Sequence, residues 1–454
     1  VTAPSTKERE GLPPGQRRAA VITIVIAVGM SALDSSIANT ALPTIARDLH
    51  ATPAASIWVV NAYQLALVAS LLPLGALGEI VGFRRVYQTG LAVFTIASLL
   101  CALSWSLPSL TAARVLQGLG AAGIMSVNTA LIRFIYPSNQ LGRGVGFNAM
   151  VVACSTALGP SVAALVLLVA NWPVLFAINV PAGMLAMALA ARSLPETPRA
   201  ARRFDWPGAA LSAVTFSALI LTVGEAAHQA TLWQTGIALV VAGVAGALLI
   251  RSQLNQAAPL LPIDLYRRPL FALSSATSTC SFMAQSLAFV SLPFLFQVQM
   301  GRSAVETGLL LTPWPVATGI LAPIAGPLSD RYPPAILCGV GLAILSAGLA
   351  LMATLPDGAT HLEIMLRLLV CGAGFGFYQS PNLKAIMSAA PPGRSGAASG
   401  TIATSRLMGQ SIGAALVALC FGIAPGHAPS LALTLAAGFA GVASLVSFSR
   451  LMAR

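Results

Sequence analysis

Charge is the scarcest property of this 454-residue chain: Asp, Glu, Lys and Arg together make up 8% of it. A soluble domain carries about 25%. Hydrophobic residues make up 56%, and mean hydropathy is +0.82. No soluble fold hides that much apolar surface, so the chain is read as a polytopic membrane protein. Lysine is nearly absent, with only Lys7 and Lys384. Neither follows a glycine, which excludes the G-x-x-x-x-G-K-[ST] loop and the nucleotide hydrolysis it supports. The four histidines (His50, His228, His361 and His427) fall in connections, beside no nucleophile or metal cluster. Cys101, Cys154, Cys280, Cys338, Cys371 and Cys420 lie in apolar runs without ligand-like spacing, so free packed thiols are expected. These absences predict no enzyme, no metal and no cofactor. Alternating ten-residue segments are also missing, which excludes a β-barrel. The first apolar run is too long for a signal peptide and ends in no small-residue cleavage site.

Continuous apolar runs are what the chain has in abundance. They cover 18–42, 57–78, 86–106, 109–135, 145–170, 172–192, 206–224, 233–250, 270–299, 307–328, 334–355, 362–386, 397–423 and 429–449, fourteen expected spans. The formal net charge is +12, but the basic residues gather at helix ends on one side, which argues topology and no nucleic acid. With the N-terminus inside, Arg47 and Arg302 are the only basic residues expected outside. Both termini are therefore expected in the cytoplasm. Two longer basic connections, 193–205 and 251–269, bracket spans seven and eight. The expected organisation is a disordered tail (1–16), a six-helix bundle (17–192), a linker with two extra helices (193–269), a second six-helix bundle (270–449) and a short cytoplasmic end (450–454). The halves repeat: GALGE (Gly75–Glu79) corresponds to GPLSD (Gly326–Asp330). RVLQGLGAAGIMSVN (Arg114–Asn128) corresponds to RLLVCGAGFGFYQSPN (Arg367–Asn382), allowing one inserted residue. Such duplication marks many secondary transporters.

A few charges remain inside the apolar runs. Val21 to Leu33 carry none, so a helix places Asp34 roughly 20 Å from its basic end. An ionisable group at that depth is a functional candidate by default, here one that takes up and releases a proton. Arg114, Arg367 and Arg406 are the corresponding cations.

The motifs around these residues resemble the major facilitator superfamily, and within it the 14-spanner drug:proton antiporter family. LDSSIANTALP (Leu33–Pro43) is similar to the first-helix motif L-D-x-T-I-V-N-x-A-L-P. GALGEIVGFRRV (Gly75–Val86) is similar to the loop motif G-x-L-x-D-R-x-G-R-R/K, with Glu79 in place of Asp and Ile80 in place of a basic residue. Gly75 permits close helix approach, Gly82 supplies the turn, and Arg84 and Arg85 anchor at the inner headgroups. The resemblance implies a gating carboxylate at Glu79, paired with a cation such as Arg143 or with a helix N-terminus. Arg114 and Gly118 match the fourth-span R-x-x-x-G. ALGPSVAAL (Ala157–Leu165) resembles the antiporter motif G-x-x-x-G-P-x-x-G-G through Gly159 and Pro160, although Ser155, Ala163 and Ala164 replace glycines. NWPVLFAINVPAG (Asn171–Gly183), FDWPG (Phe204–Gly208) and SGTIATSRLMGQSIGAAL (Ser399–Leu416) match further segments, the last placing Arg406.

The resemblance implies an all-helical facilitator fold, proton coupling at Asp34 and Arg114, and conformational roles for Arg367 and Arg406. It implies a multi-pass protein of a bacterial inner membrane that works as a monomer. The energy source would be the proton gradient, with no cofactor. A substrate cavity between the halves is expected near the midplane. Its candidate walls are Trp58, Asn61, Tyr63 and Gln64, with Phe282, Met283, Gln285 and Phe289, and with Trp314, Phe377, Tyr378 and Gln379. Aromatic, methionine and amide groups suit bulky amphipathic ligands, and a cation would gain from Asp34. Three readings stand: a proton-coupled multidrug exporter, a dedicated exporter of one metabolite, toxin or lipid, and a non-transporting sensor.

Overall fold

The computed structural model describes residues 11–137, 140–199, 204–227, 232–254, 263–356, 358–389 and 395–452. Among them every regular element is helical. In hydrocarbon a backbone must satisfy its own polar groups, and a helix does so within one segment. The first half contains α1 (Pro14–Asp48), α2 (Pro53–Ser56), α3 (Trp58–Val81), α4 (Phe83–Ala102), α5 (Leu107–Ile135), α6 (Leu141–Val169), α7 (Pro173–Ala177) and α8 (Asn179–Ser193). Then come α9 (Trp206–Ala227), α10 (Leu232–Leu254) and the single turn α11 (Ile263–Tyr266). The second half holds α12 (Pro269–Phe294), a π-helical turn (Leu295–Gln299), α13 (Ala304–Leu311), α14 (Pro313–Arg331), α15 (Pro334–Ala353), α16 (His361–Ala389), α17 (Ser395–Ile423) and α18 (Ala428–Ser449).

Twelve helical runs among the described residues are long and apolar enough to cross a bilayer. Between the two halves, α9 and α10 pack on each other, and α9 also leans on α3 and α17; neither is among those twelve. Leu239, Val244 and Leu248 leave α10 with a bare apolar face. Helix α1 begins at Pro14, inside the expected tail, and the Leu12 amide already donates to the Ile135 carbonyl at 3.1 Å. It also runs past the expected end, through Pro43 to Asp48. Residues 1–10 lie outside the described residues.

Local chemistry sets the other boundaries. Ser106 and Ser109 form a capping box at the start of α5, and Ser303 and Glu306 another at the start of α13. Gly82, at φ 101°, turns the chain between α3 and α4. Two expected spans are broken. Pro181 has no N–H for the Ala177 carbonyl, and the helix divides at Ile178 into α7 and α8. Pro313 likewise cannot serve Leu309, whose carbonyl takes the Thr312 amide instead at 3.2 Å, where α13 passes into α14.

The internal repeat is physical. A side chain on Gly118 would strike the Tyr63 carbonyl of α3, and one on Gly372 would strike the Trp314 carbonyl of α14. The same close crossing therefore recurs in each half. The halves meet at the end opposite the basic loops. There α1 packs on α12 and α6 packs on α13. Gln297 donates to the Thr40 carbonyl at 3.1 Å and accepts from Thr44 at 3.3 Å. The hydroxyls of Ser161 and Thr312 lie 2.8 Å apart. A cleft of about 900 Å³ opens beside these contacts, lined by Thr44, Arg47, Trp172, Gln297, Arg302 and Glu306 among others. It sits about two turns or more from Asp34 along α1.

Candidate functional site

The Asp34 side chain is 1% exposed and the Arg114 side chain fully buried, and the two meet. Arg114 Nη1 donates to Asp34 Oδ2 at 2.5 Å. Groups from α3, α4, α5, α7 and α8 build the surroundings. On α5, Gln117 lies one turn beyond Arg114. Its Nε2 donates to Asp34 Oδ1 at 2.9 Å and to Ser98 Oγ of α4 at 2.8 Å, while its Oε1 accepts from Arg114 Nη1 at 2.6 Å. From α8, Asn179 Nδ2 reaches Asp34 Oδ1 at 2.7 Å. Arg114 Nε donates to the Val59 carbonyl on α3 at 2.9 Å. The guanidinium carbon stands 4.2 Å over the Tyr63 ring and 5.6 Å from that of Phe176. The Tyr63 and Ser31 hydroxyls are 3.2 Å apart.

This geometry decides how the pair is stabilised. Two charges removed from water lose several kcal/mol of hydration each, on the order given by continuum and experimental estimates, unless further hydrogen bonds surround them. Asp34 accepts from Arg114, Gln117 and Asn179, and Arg114 adds the Val59 carbonyl and an aromatic face. The carboxylate is thus held by α1, α5 and α8 together, and a proton on it weakens all three attachments at once. In the sequence Gln117 has no motif or charge to mark it, and Asn179 is marked only by its place in NWPVLFAINVPAG. Both are neutral amides, which hydropathy does not flag, but Gln117 sits three residues after Arg114, on the same helix face.

The other candidates divide into groups. At the basic end, Arg84 donates to the Ala191 carbonyl at 2.5 Å and so caps α8. The Phe83 amide donates to Thr197 at 3.0 Å, which pins the turn at Gly82 to the connection after α8. Glu79 and Arg85 are exposed, and Glu79 has an interaction partner. Gly75 faces Ser126 across ordinary contact distances. The side chain of Arg143 lies outside the described residues. Gly159 packs so closely on Ser36 of α1 that a Cβ there would overlap the serine side chain. Ser36 Oγ in turn donates to the Thr156 carbonyl at 2.8 Å. The next residue, Pro160, presents its carbonyl to Gly308 of α13. Gly159 and Pro160 therefore stand where α6 touches both its own half and the other.

Arg367 does not repeat the environment of Arg114. It pairs with Glu363 one turn earlier on α16 and donates to the Leu351 carbonyl. The counter-ion lies on its own helix, where α5 has Leu110, so no cross-helix pair forms. Asn382 serves neither Arg367 nor Arg406. It accepts from Arg450 Nη1 at 2.9 Å, and Ser274 and Ser447 complete that shell. Arg450, expected at the cytoplasmic end, is 2% exposed.

Most of the expected cavity wall is occupied in core packing. Phe289 meets Trp314 at 5.0 Å between ring centroids, and Phe282 and Tyr378 both meet Phe375 at 5.6 Å. Ser281 Oγ donates to the Tyr378 hydroxyl at 2.5 Å. Met283 is buried against Gly409 and Gly413 of α17. Trp58, Gln285, Phe377 and Gln379 are half-buried. Asn61 Oδ1 and Gln64 Oε1 are buried without a hydrogen-bond partner, although Gln64 Nε2 reaches Ser35 at 3.5 Å. Among the described residues no group of His, Cys, Asp or Glu is placed to hold a metal ion.

Comparison with known proteins places this arrangement. The chain is 52% identical over 446 residues to an uncharacterized transporter, YebQ, of Escherichia coli K12, covering 98% of each chain. It is 31% identical to the tetracenomycin C resistance and export protein of Streptomyces glaucescens, over 87% of this chain and 74% of that one. It is 29% identical to the riboflavin transporter RibZ of Clostridioides difficile, over 89% and 88%. Among solved structures, a D-xylose–proton symporter superposes with a TM-score of 0.69 at 12% identity, over 95% of this chain and 97% of that one. At that identity the likeness is one of fold. The sequence profile described as the Major Facilitator Superfamily matches residues 24–414. The chain belongs to the Major Facilitator Superfamily and is a multi-pass membrane transporter, not an enzyme.

Proposed function

We propose that this transporter exports amphipathic compounds, drugs among them, in exchange for protons, and that Asp34 with Arg114 is the coupling site. The observation that carries the reading is the carboxylate buried at mid-helix and bound by three partners on two other helices. Protonation removes the negative charge. Arg114 then keeps Val59 O, Gln117 Oε1 and the Tyr63 ring, but α1 loses its charged link to α5 and α8. A proton arriving from outside favours one packing of the first half, and its departure inward favours the other. The contacts of α6 with α13 and of α1 with α12 are those that must part when the outer side opens.

In this reading α9 and α10 cross the membrane, giving fourteen spans with both termini in the cytoplasm of a bacterial inner-membrane protein that works as a monomer. The two bundles, 17–192 and 270–449, rock about the buried pair. The drug:proton antiporter type is supported by the motifs around Asp34 and Gly159. It is also supported by a relative named as a resistance and export protein at 31% identity. A dedicated exporter is the second reading, favoured by the relative named as a riboflavin transporter at 29%.

The test is purified protein in liposomes with an imposed pH gradient and a fluorescent amphipathic dye. The reading expects dye movement against its own gradient, abolished by a protonophore. Dye flux indifferent to the pH gradient would sink the proton coupling.

A further inference from the structure

Among the described residues, two cations inside the bundle lack a counter-charge, Arg450 and Arg406, and only Arg406 also lacks a hydrogen bond. Arg114 is paired with Asp34, Arg367 with Glu363, and Arg450 is enclosed by Asn382, Ser274 and Ser447. Arg406 lies in the first half of α17, and no hydrogen bond or ion pair joins it to a described residue. Its helix packs against α3, α9 and α12. One turn on, Gly409 is wedged against Phe282, 3.0 Å from the position a Cβ would take. Arg406 nevertheless keeps partial exposure. Tyr63, whose ring stacks on Arg114, lies within electrostatic range of Arg406 as well. On the same helix α3, Asn61 and Gln64 hold buried carbonyl oxygens that accept nothing.

An unpaired guanidinium in a low-dielectric interior is unfavourable and persists where it has work to do. Asp34 does not supply the balance, because Arg114 has already neutralised it. The uncompensated charge at the seam between α3 and α17 is therefore positive. We propose that Arg406 binds an anionic group of the transported compound, a carboxylate, sulfonate or phosphate, and that Asn61 and Gln64 accept from N–H or O–H groups on the same molecule. The substrate class becomes amphipathic acids, not the cations expected from Asp34 in the sequence. The proposal rests on the transporter reading but not on its proton coupling.

The experiment is equilibrium binding by fluorescence polarisation, in nanodiscs of neutral phosphatidylcholine at one pH. Two dyes share a xanthene ring and differ in charge: fluorescein, a carboxylate, and rhodamine 6G, an esterified cation. The wild type is expected to bind fluorescein more tightly. Arg406→Gln weakens fluorescein by about 10- to 100-fold, the worth of one charge-assisted hydrogen bond. Arg406→Lys, which keeps the charge and loses the planar fork, falls between the two. Thermal unfolding separates a binding role from a structural one. Removing an unpaired buried cation should leave the melting temperature of unliganded Arg406→Gln at or above that of the wild type. Tighter binding of rhodamine 6G, an unchanged fluorescein affinity in Arg406→Gln, or a marked fall in its melting temperature would each overturn the proposal. No gradient is imposed, so a failure of coupling and a failure of anion binding are read separately.

Discussion

Replacing Arg114 with methionine removes the cation and leaves Asp34 in place. The carboxylate keeps Gln117 and Asn179 but loses its only charged partner, at a position 1% exposed. Removing one member of a buried pair costs about 3–5 kcal/mol, chiefly because the other charge stays behind. Asp34→Asn strands Arg114 in the same way, with Val59 O and Gln117 Oε1 still accepting from it, and costs a comparable amount. The double variant Asp34→Asn/Arg114→Met has neither charge, and its asparagine still meets the amides of Gln117 and Asn179. It should lie within about 1–2 kcal/mol of the wild type, since neutral replacements of buried pairs are often tolerated. The expected coupling is about 4 kcal/mol or more, against about 0.5 kcal/mol for independent sites. Reversible unfolding of the four proteins in one mixed-micelle titration supplies the cycle. Additive losses in the double variant would refute the claim that these two charges stabilise each other.

Arg367→Gln should change stability by no more than about 1 kcal/mol, because the pair with Glu363 is partly exposed. Transport should stay within about twofold of the wild type, and a collapse of transport would support the conformational role that the resemblance implies for Arg367. Ser161→Cys/Thr312→Cys, made in a Cys154→Ser background, joins side chains whose oxygens are 2.8 Å apart across the two halves. Oxidation should arrest transport and reduction restore it; full transport in the oxidised protein would show that these helices need not separate. Gly82→Ala forces a side chain into φ 101° and should lower stability by about 1–3 kcal/mol, measured as a shifted unfolding midpoint.

What the sequence makes legible here depends on how expensive each feature is in a membrane. A carboxylate and a guanidinium in apolar runs cannot be accidental, so Asp34 and Arg114 stand out without a structure. Gln117 and Asn179 hide because an amide costs far less to bury than a charge, and no window of hydropathy registers it. The internal repeat equates Arg367 with Arg114, yet Glu363 four residues earlier on α16 supplies a local partner and removes the equivalence. Helix positions follow from apolar length, whereas the breaks at Ile178 and Thr312 lie within continuous apolar runs. Pro181 and Pro313 are the only advance signs of them. Large or polar side chains near the midplane line a ligand cavity and pack a core alike, as the Phe289–Trp314 and Phe282–Phe375 contacts show.

The most direct test of the central claim compares wild type and Asp34→Asn in liposomes, once with a pH gradient and once with equal pH and dye preloaded for exchange. The account predicts that Asp34→Asn still exchanges dye but no longer concentrates it with the gradient, because the titrating group is gone while the path remains. Gradient-driven accumulation at the wild-type level in Asp34→Asn would contradict it.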